Sequence, residues 1–159
     1  MIKDLRENDL GFMVGTFYSS IFKYDIEVLF DRDISLEYIE KNIEYFNSIK
    51  QEFLFDICAA LKRYYESYKK LYPDLCEELS PDILRNYEVD PVSILKYVKI
   101  GVYRFHKCSV DDENIPVINL GGDCEWAGDA GITIIAKNNQ LMYVAVSYTH
   151  LTLPTNREV

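Results

Sequence analysis

Apolar and polar residues alternate through the segment ending at Asp31. Phe22, Tyr24, Ile26, Val28 and Phe30 fall on one side of an extended backbone, and Lys23, Asp25, Glu27 and Leu29 on the other. A period of two predicts a strand with one face against a core. Its expected hairpin partner is Phe12 to Phe17, with Ser19-Ser20 near the turn. From residue 35 the period lengthens to three and four. Ser35 has the chemistry of an N-cap and Glu37 suits the positive end of a helix dipole. Leu36, Ile39, Ile43 and Phe46 then form one apolar stripe, and Ile49, Phe53, Ile57, Leu61, Tyr64, Tyr68 and Leu71 a second. Asn47-Ser48, poor helix formers and good caps, predict a break between two helices, and Pro73 closes the run.

Downstream, Ser80-Pro81 and Asp90-Pro91 each set a capping side chain before a proline, which predicts short helices over 81–87 and 91–97. A strand is expected from Ile100 to Cys108, a solvated turn over Asp111 to Asn114, and another strand beginning over Pro116 to Leu120. The glycine-rich stretch Gly121 to Gly131 reads as part of a turn-bearing hairpin. Strands follow over Ile132 to Lys137 and Leu141 to Val144, joined by Asn138-Asn139, a pair that tolerates the positive φ of a tight hairpin turn. Together these elements predict an α+β fold: an antiparallel sheet made from the N-terminal hairpin and the C-terminal strands, with the helices of residues 36–72 packed on one face. One domain over residues 1–145 accommodates them.

A chain of 159 residues, 48% hydrophobic and 14% aromatic, is long enough for one packed core. The net charge of −9 and pI near 4.7 disfavour nucleic acid and anionic membranes as partners and allow a basic protein. No apolar run approaches the roughly 20 residues of a membrane span, and the N-terminus lacks the pattern of a signal peptide, so a cytoplasmic location is expected. There Cys58, Cys76, Cys108 and Cys124, with no C-x-x-C pair, are expected as free thiols. The segment Val146 to Thr155 resembles the translated transposase adapter of shotgun sequencing libraries. Residues 146–159 are accordingly expected to be foreign to the natural protein, which removes His150 from consideration and leaves His106.

His106, Cys108 and Cys124, with Asp123, have the ligand types of a soft metal site, but none of the familiar zinc spacings. His106 and Cys108 also share a strand face, as a nucleophile and base would. The nearby Asp111, Asp112 and Glu113 would keep that thiol protonated. Inward-facing core residues are the preferred reading, and no cofactor is expected. Asp74, Glu77, Glu78, Asp82, Glu88 and Asp90 form an acidic region, read first as a solvated face. The glycine stretch lacks G-x-G-x-x-G and a following Lys-Ser/Thr, so it is not a phosphate loop. Tyr64, Tyr65, Tyr68 and Tyr72 read as packing residues.

Cys124-Glu125-Trp126, then Gly131-Ile132-Thr133-Ile134 and Lys137 to Val144, resemble the C-terminal end of the DUF6985-like family of small bacterial domains of unknown function. In that pattern a tryptophan precedes an acidic stretch and His-Gly, then a strand, a lysine-bearing turn and a final strand. Here Ala130 stands at the histidine position, which argues against a catalytic role there. Trp126, Gly131, Tyr64 and Tyr143 are expected to be structural. Similar small domains occur among immunity and adaptor proteins of bacterial toxin systems, so the resemblance implies protein binding. The expected function is a non-enzymatic interaction module that meets a basic partner through Glu77, Glu78, Asp82, Asp111, Asp112 and Glu113. The alternative is a metal- or thiol-dependent enzyme built on His106, Cys108 and Cys124.

Overall fold

The alternating run around Ile26 becomes the third strand of a seven-stranded sheet in the computed structural model, which describes residues 1–76, 82–106, 114–127 and 130–146. The strands are β1 (Lys3–Glu7), β2 (Phe12–Ser19), β3 (Tyr24–Asp31), β4 (Val98–Phe105), β5 (Val117–Cys124), β6 (Ile132–Lys137) and β7 (Gln140–Ala145). They lie side by side in chain order. Between β3 and β4 come helices α1 (Leu36–Asn47), α2 (Gln51–Leu71), α3 (Pro73–Cys76) and α4 (Asp82–Val89), then a 3-10 helix at Pro91–Tyr97. The fold is therefore α+β.

Neighbouring strands are antiparallel except β3 and β4, which pair in parallel through Glu27 with Val102 and Phe30 with Phe105. The sheet is thus mostly antiparallel, as expected, with one parallel pairing that the sequence did not indicate. The helical segment is a crossover, and a crossover returns the chain to run alongside the strand it left. Ile26, Val28 and Phe30 face the core with Tyr103, Phe105, Leu120 and Ile134, while Ile39, Ile43, Phe46, Phe53, Ile57 and Leu61 cover them from α1 and α2. Phe17, Phe46 and Tyr103 meet edge to face at 5.5–6.3 Å, a geometry that aromatic quadrupoles favour.

The break between α1 and α2 falls at Asn47-Ser48 as the sequence predicts, and Ser35 caps α1 by accepting the Tyr38 N–H. Asn47 has a further use. Its side chain accepts the Ser20 N–H and donates to the Tyr18 carbonyl, tying the end of α1 to the β2–β3 turn. Asn42, 3% exposed, likewise accepts the Val117 N–H at 2.8 Å and fastens α1 to β5. Two members of the expected stripes, Leu36 and Leu71, are exposed because they sit at helix ends, beyond the covered sheet.

The strand β1 was not legible in the sequence. Its five residues are all exposed and carry no apolar alternation, since an edge strand needs only backbone pairing. A correction concerns Gly121 to Cys124, which belong to β5 rather than to a turn. The register of β4 on β5 shifts between Ile100 and Val102. At Gly122 a β-carbon would stand 2.0 Å from the Lys99 carbonyl oxygen, and at Gly121 2.5 Å from the Arg104 guanidinium. Close approach, not turn geometry, selects glycine at both. Asn138 and Asn139, with φ of 52° and 65°, form the β6–β7 turn, as expected.

Candidate functional site

A concavity lies at one end of the sheet, where β3 and β4 begin, β5 ends and the 3-10 helix passes. It has a volume of about 590 Å³. Ile21, Phe22, Val92, Leu95 and Val98 supply an apolar floor, and Tyr24 and Tyr97 supply aromatic walls. The 3-10 helix is placed by Asp90, whose carboxylate accepts the Val92 N–H, with Pro91 at the first position. The Glu125 N–H donates to the Tyr97 carbonyl and fixes the opposite wall.

The rim carries charge of both signs: Lys23, Lys96 and Lys99 against Asp123 and Glu125. Lys99 holds its ammonium 4.2 Å from the centre of the Tyr24 ring, a cation–π contact, and stands opposite Asp123 in the β4–β5 register. The Tyr24 hydroxyl oxygen accepts the Ile100 N–H at 2.8 Å. Burial raises the Tyr24 pKa above the ordinary phenol value, with the Ile100 N–H acting in the opposite sense, so the hydroxyl stays neutral. This arrangement suits the burial of an apolar or aromatic group, with charged neighbours setting its orientation.

Cys124 also borders the cleft, and burial pushes its thiol pKa up to about 12. Cys124 pairs with Val98 at the start of β4, whereas His106 follows the far end of that strand. Eight residues at about 3.3 Å each separate them by roughly 26 Å. The geometry thus does not bring His106 and Cys124 to one metal ion or one reaction centre. Cys108 lies outside the described residues. Among the described residues no cluster of three metal-ligating side chains occurs.

Of the expected partner-binding carboxylates, Glu77, Glu78, Asp111, Asp112 and Glu113 lie outside the described residues. Asp82 opens α4 and forms an ion pair with Arg85 one turn along. The residues expected to be structural are gathered in one place. Trp126, 1% exposed, stands edge to face with Tyr64 at 5.7 Å and Tyr65 at 5.6 Å. The Tyr64 hydroxyl donates to the Gly131 carbonyl at 2.8 Å, and Tyr68 to the Ala127 carbonyl at 3.2 Å. Gly131 has φ of 66°, a backbone conformation that glycine adopts freely. Tyr143 lies on β7, opposite Ile135, and donates to the Val146 carbonyl. The cleft itself was missed, because its walls come from four separate elements; the Asp90-Pro91 cap was its only sequence signal.

A small α+β domain with an apolar cleft at one end of its sheet is the class that this architecture defines. The chain belongs to the family described as Domain of unknown function (DUF6985), whose model matches residues 1–151. No curated protein and no solved structure matches the chain. Among the described residues no helix is long and apolar enough to cross a membrane.

Proposed function

We propose that the protein is a non-enzymatic interaction module of the immunity or adaptor kind, acting in the cytoplasm on a basic protein partner. The cleft carries this reading. It offers an aromatic and aliphatic seat large enough for one anchoring side chain, and protein interfaces concentrate their binding energy in such anchors. The net charge of −9 draws a basic surface from a distance, while the rim, with Asp123 and Glu125 set among Lys23, Lys96 and Lys99, orients that surface by charge of both signs. Buried, unpaired Cys58 and Cys124 suit a reducing compartment.

The test is retention of a protein partner on immobilised wild type and on Val92→Arg, which places charge on the cleft floor. Retention at low salt, weakening at about 0.5 M salt and loss with Val92→Arg support the proposal. Equal retention at both salt levels by both proteins overturns it, provided that their circular dichroism agrees.

A further inference from the structure

On the sheet face opposite the helices, β4 and β5 carry a pair of polar groups that the cleft does not use. The register sets Tyr103 against Leu120, so the next residues, Arg104 and Asn119, stand opposite each other and point to the other face. Arg104 is half-buried, with its guanidinium laid over Gly121, where a β-carbon would stand 2.5–2.9 Å from three of its atoms. Removing a guanidinium from water is unfavourable unless an anion faces it. Burial accordingly lowers the Arg104 pKa from its ordinary value. Yet no carboxylate among the described residues lies within ion-pair distance of it. Glu27, which pairs with Val102, is the diagonal neighbour of Arg104 on the same face and forms no ion pair with it.

Asn119 adds the second requirement. Its side-chain oxygen is buried and has no hydrogen-bond donor among the described residues. Among the described residues, a cation lacking an anion thus stands beside an acceptor lacking a donor, on a surface whose neighbours in the register are Leu29, Val102 and Ile135. The two deficits are met together by a molecule carrying a carboxylate with an N–H or O–H on the adjacent atom. The carboxylate would lie across the guanidinium fork, where two parallel N–H bonds form, and the donor would reach Asn119.

We propose that this face holds a binding site for a small 2-hydroxy or 2-amido carboxylate, with Arg104 taking the carboxylate and Asn119 the adjacent donor. Gly121 provides the recess in which the guanidinium rests. The site is about 20 Å along β4 from Val98 in the cleft wall, so it stands or falls independently of the cleft.

The experiment follows the Arg104 side-chain Nε–Hε resonance of the full chain during titration at constant ionic strength with glycolate, acetate, inorganic phosphate and chloride. Saturation by glycolate at a concentration at least about tenfold below that for acetate is expected. Asn119→Leu should bring the two to parity, and Gly121→Ala, which displaces the guanidinium, should weaken glycolate binding measured on backbone amides. Equal, non-saturating shifts with all four anions overturn the proposal. Tighter saturation by phosphate than by glycolate also overturns it, because the site then selects phosphate charge rather than a carboxylate with its neighbouring donor.

Discussion

Trp126 is held by aromatic rings of α2 on two sides, so its removal leaves a hole that neighbouring side chains do not readily fill. Trp126→Ala should cost about 3–5 kcal/mol in urea unfolding. Tyr64→Phe, which keeps the ring and loses the hydroxyl with its bond to Gly131, should cost about 1 kcal/mol. The adjacent glycines of β5 should separate in the same assay. At Gly122 an added methyl meets main chain, the Lys99 carbonyl, which moves only with the β4 bulge. At Gly121 it meets the tip of Arg104, which swings aside. Gly122→Ala should therefore cost on the order of 1–3 kcal/mol, and Gly121→Ala clearly less. Equal losses would show that the bulge yields as easily as a side chain does.

At the scale of elements, α1 depends on its cap. Ser35→Ala removes the acceptor for the Tyr38 N–H and should cost about 1 kcal/mol in thermal or urea unfolding. That cap was readable because N-capping depends on one side chain and its own next turn. The β2–β3 hairpin, the break at Asn47-Ser48 and the Asn138-Asn139 turn were readable for the same reason. Their signals are local periodicity and local backbone preference. What escaped notice depends on residues distant in the chain. Edge strand β1 has no apolar face, the glycines of β5 answer to Lys99 and Arg104, and Asn42 reaches Val117 across 75 residues. The candidate site was illegible on the same grounds. Phe22, Val92 and Glu125 belong to three unrelated stretches of chain, and the separation of His106 from Cys124 follows only from the strand register.

For the whole molecule, the buried thiols set the response to alkali. The thiols of Cys58 and Cys124 are each raised from 9.0 to about 12, chiefly by burial, and burial also raises the Tyr64 and Tyr103 hydroxyls. Each of these groups is neutral when protonated, so the unfolded chain releases its protons at lower pH than the folded one. Their contribution to stability is complete below about pH 9 and is lost as the pH rises toward 12. The urea midpoint should fall through that window, and less steeply in a Cys58→Ala, Cys124→Ala double variant. Below pH 9 neither thiol should react quickly with an aromatic disulfide reagent while the chain is folded.

The one parallel pairing, β3 with β4, has a consequence for how the chain reaches its native state. Every other strand pair joins neighbours linked by a shorter connection, whereas Val28 and Tyr103 pair across the whole helical segment. Closing so long a loop is entropically costly and slow. The sheet therefore has a kinetic seam between two locally assembling halves, β1–β3 and β4–β7. Val28→Ala should slow folding as well as speed unfolding in stopped-flow measurements, because its contact with Tyr103 forms as that loop closes.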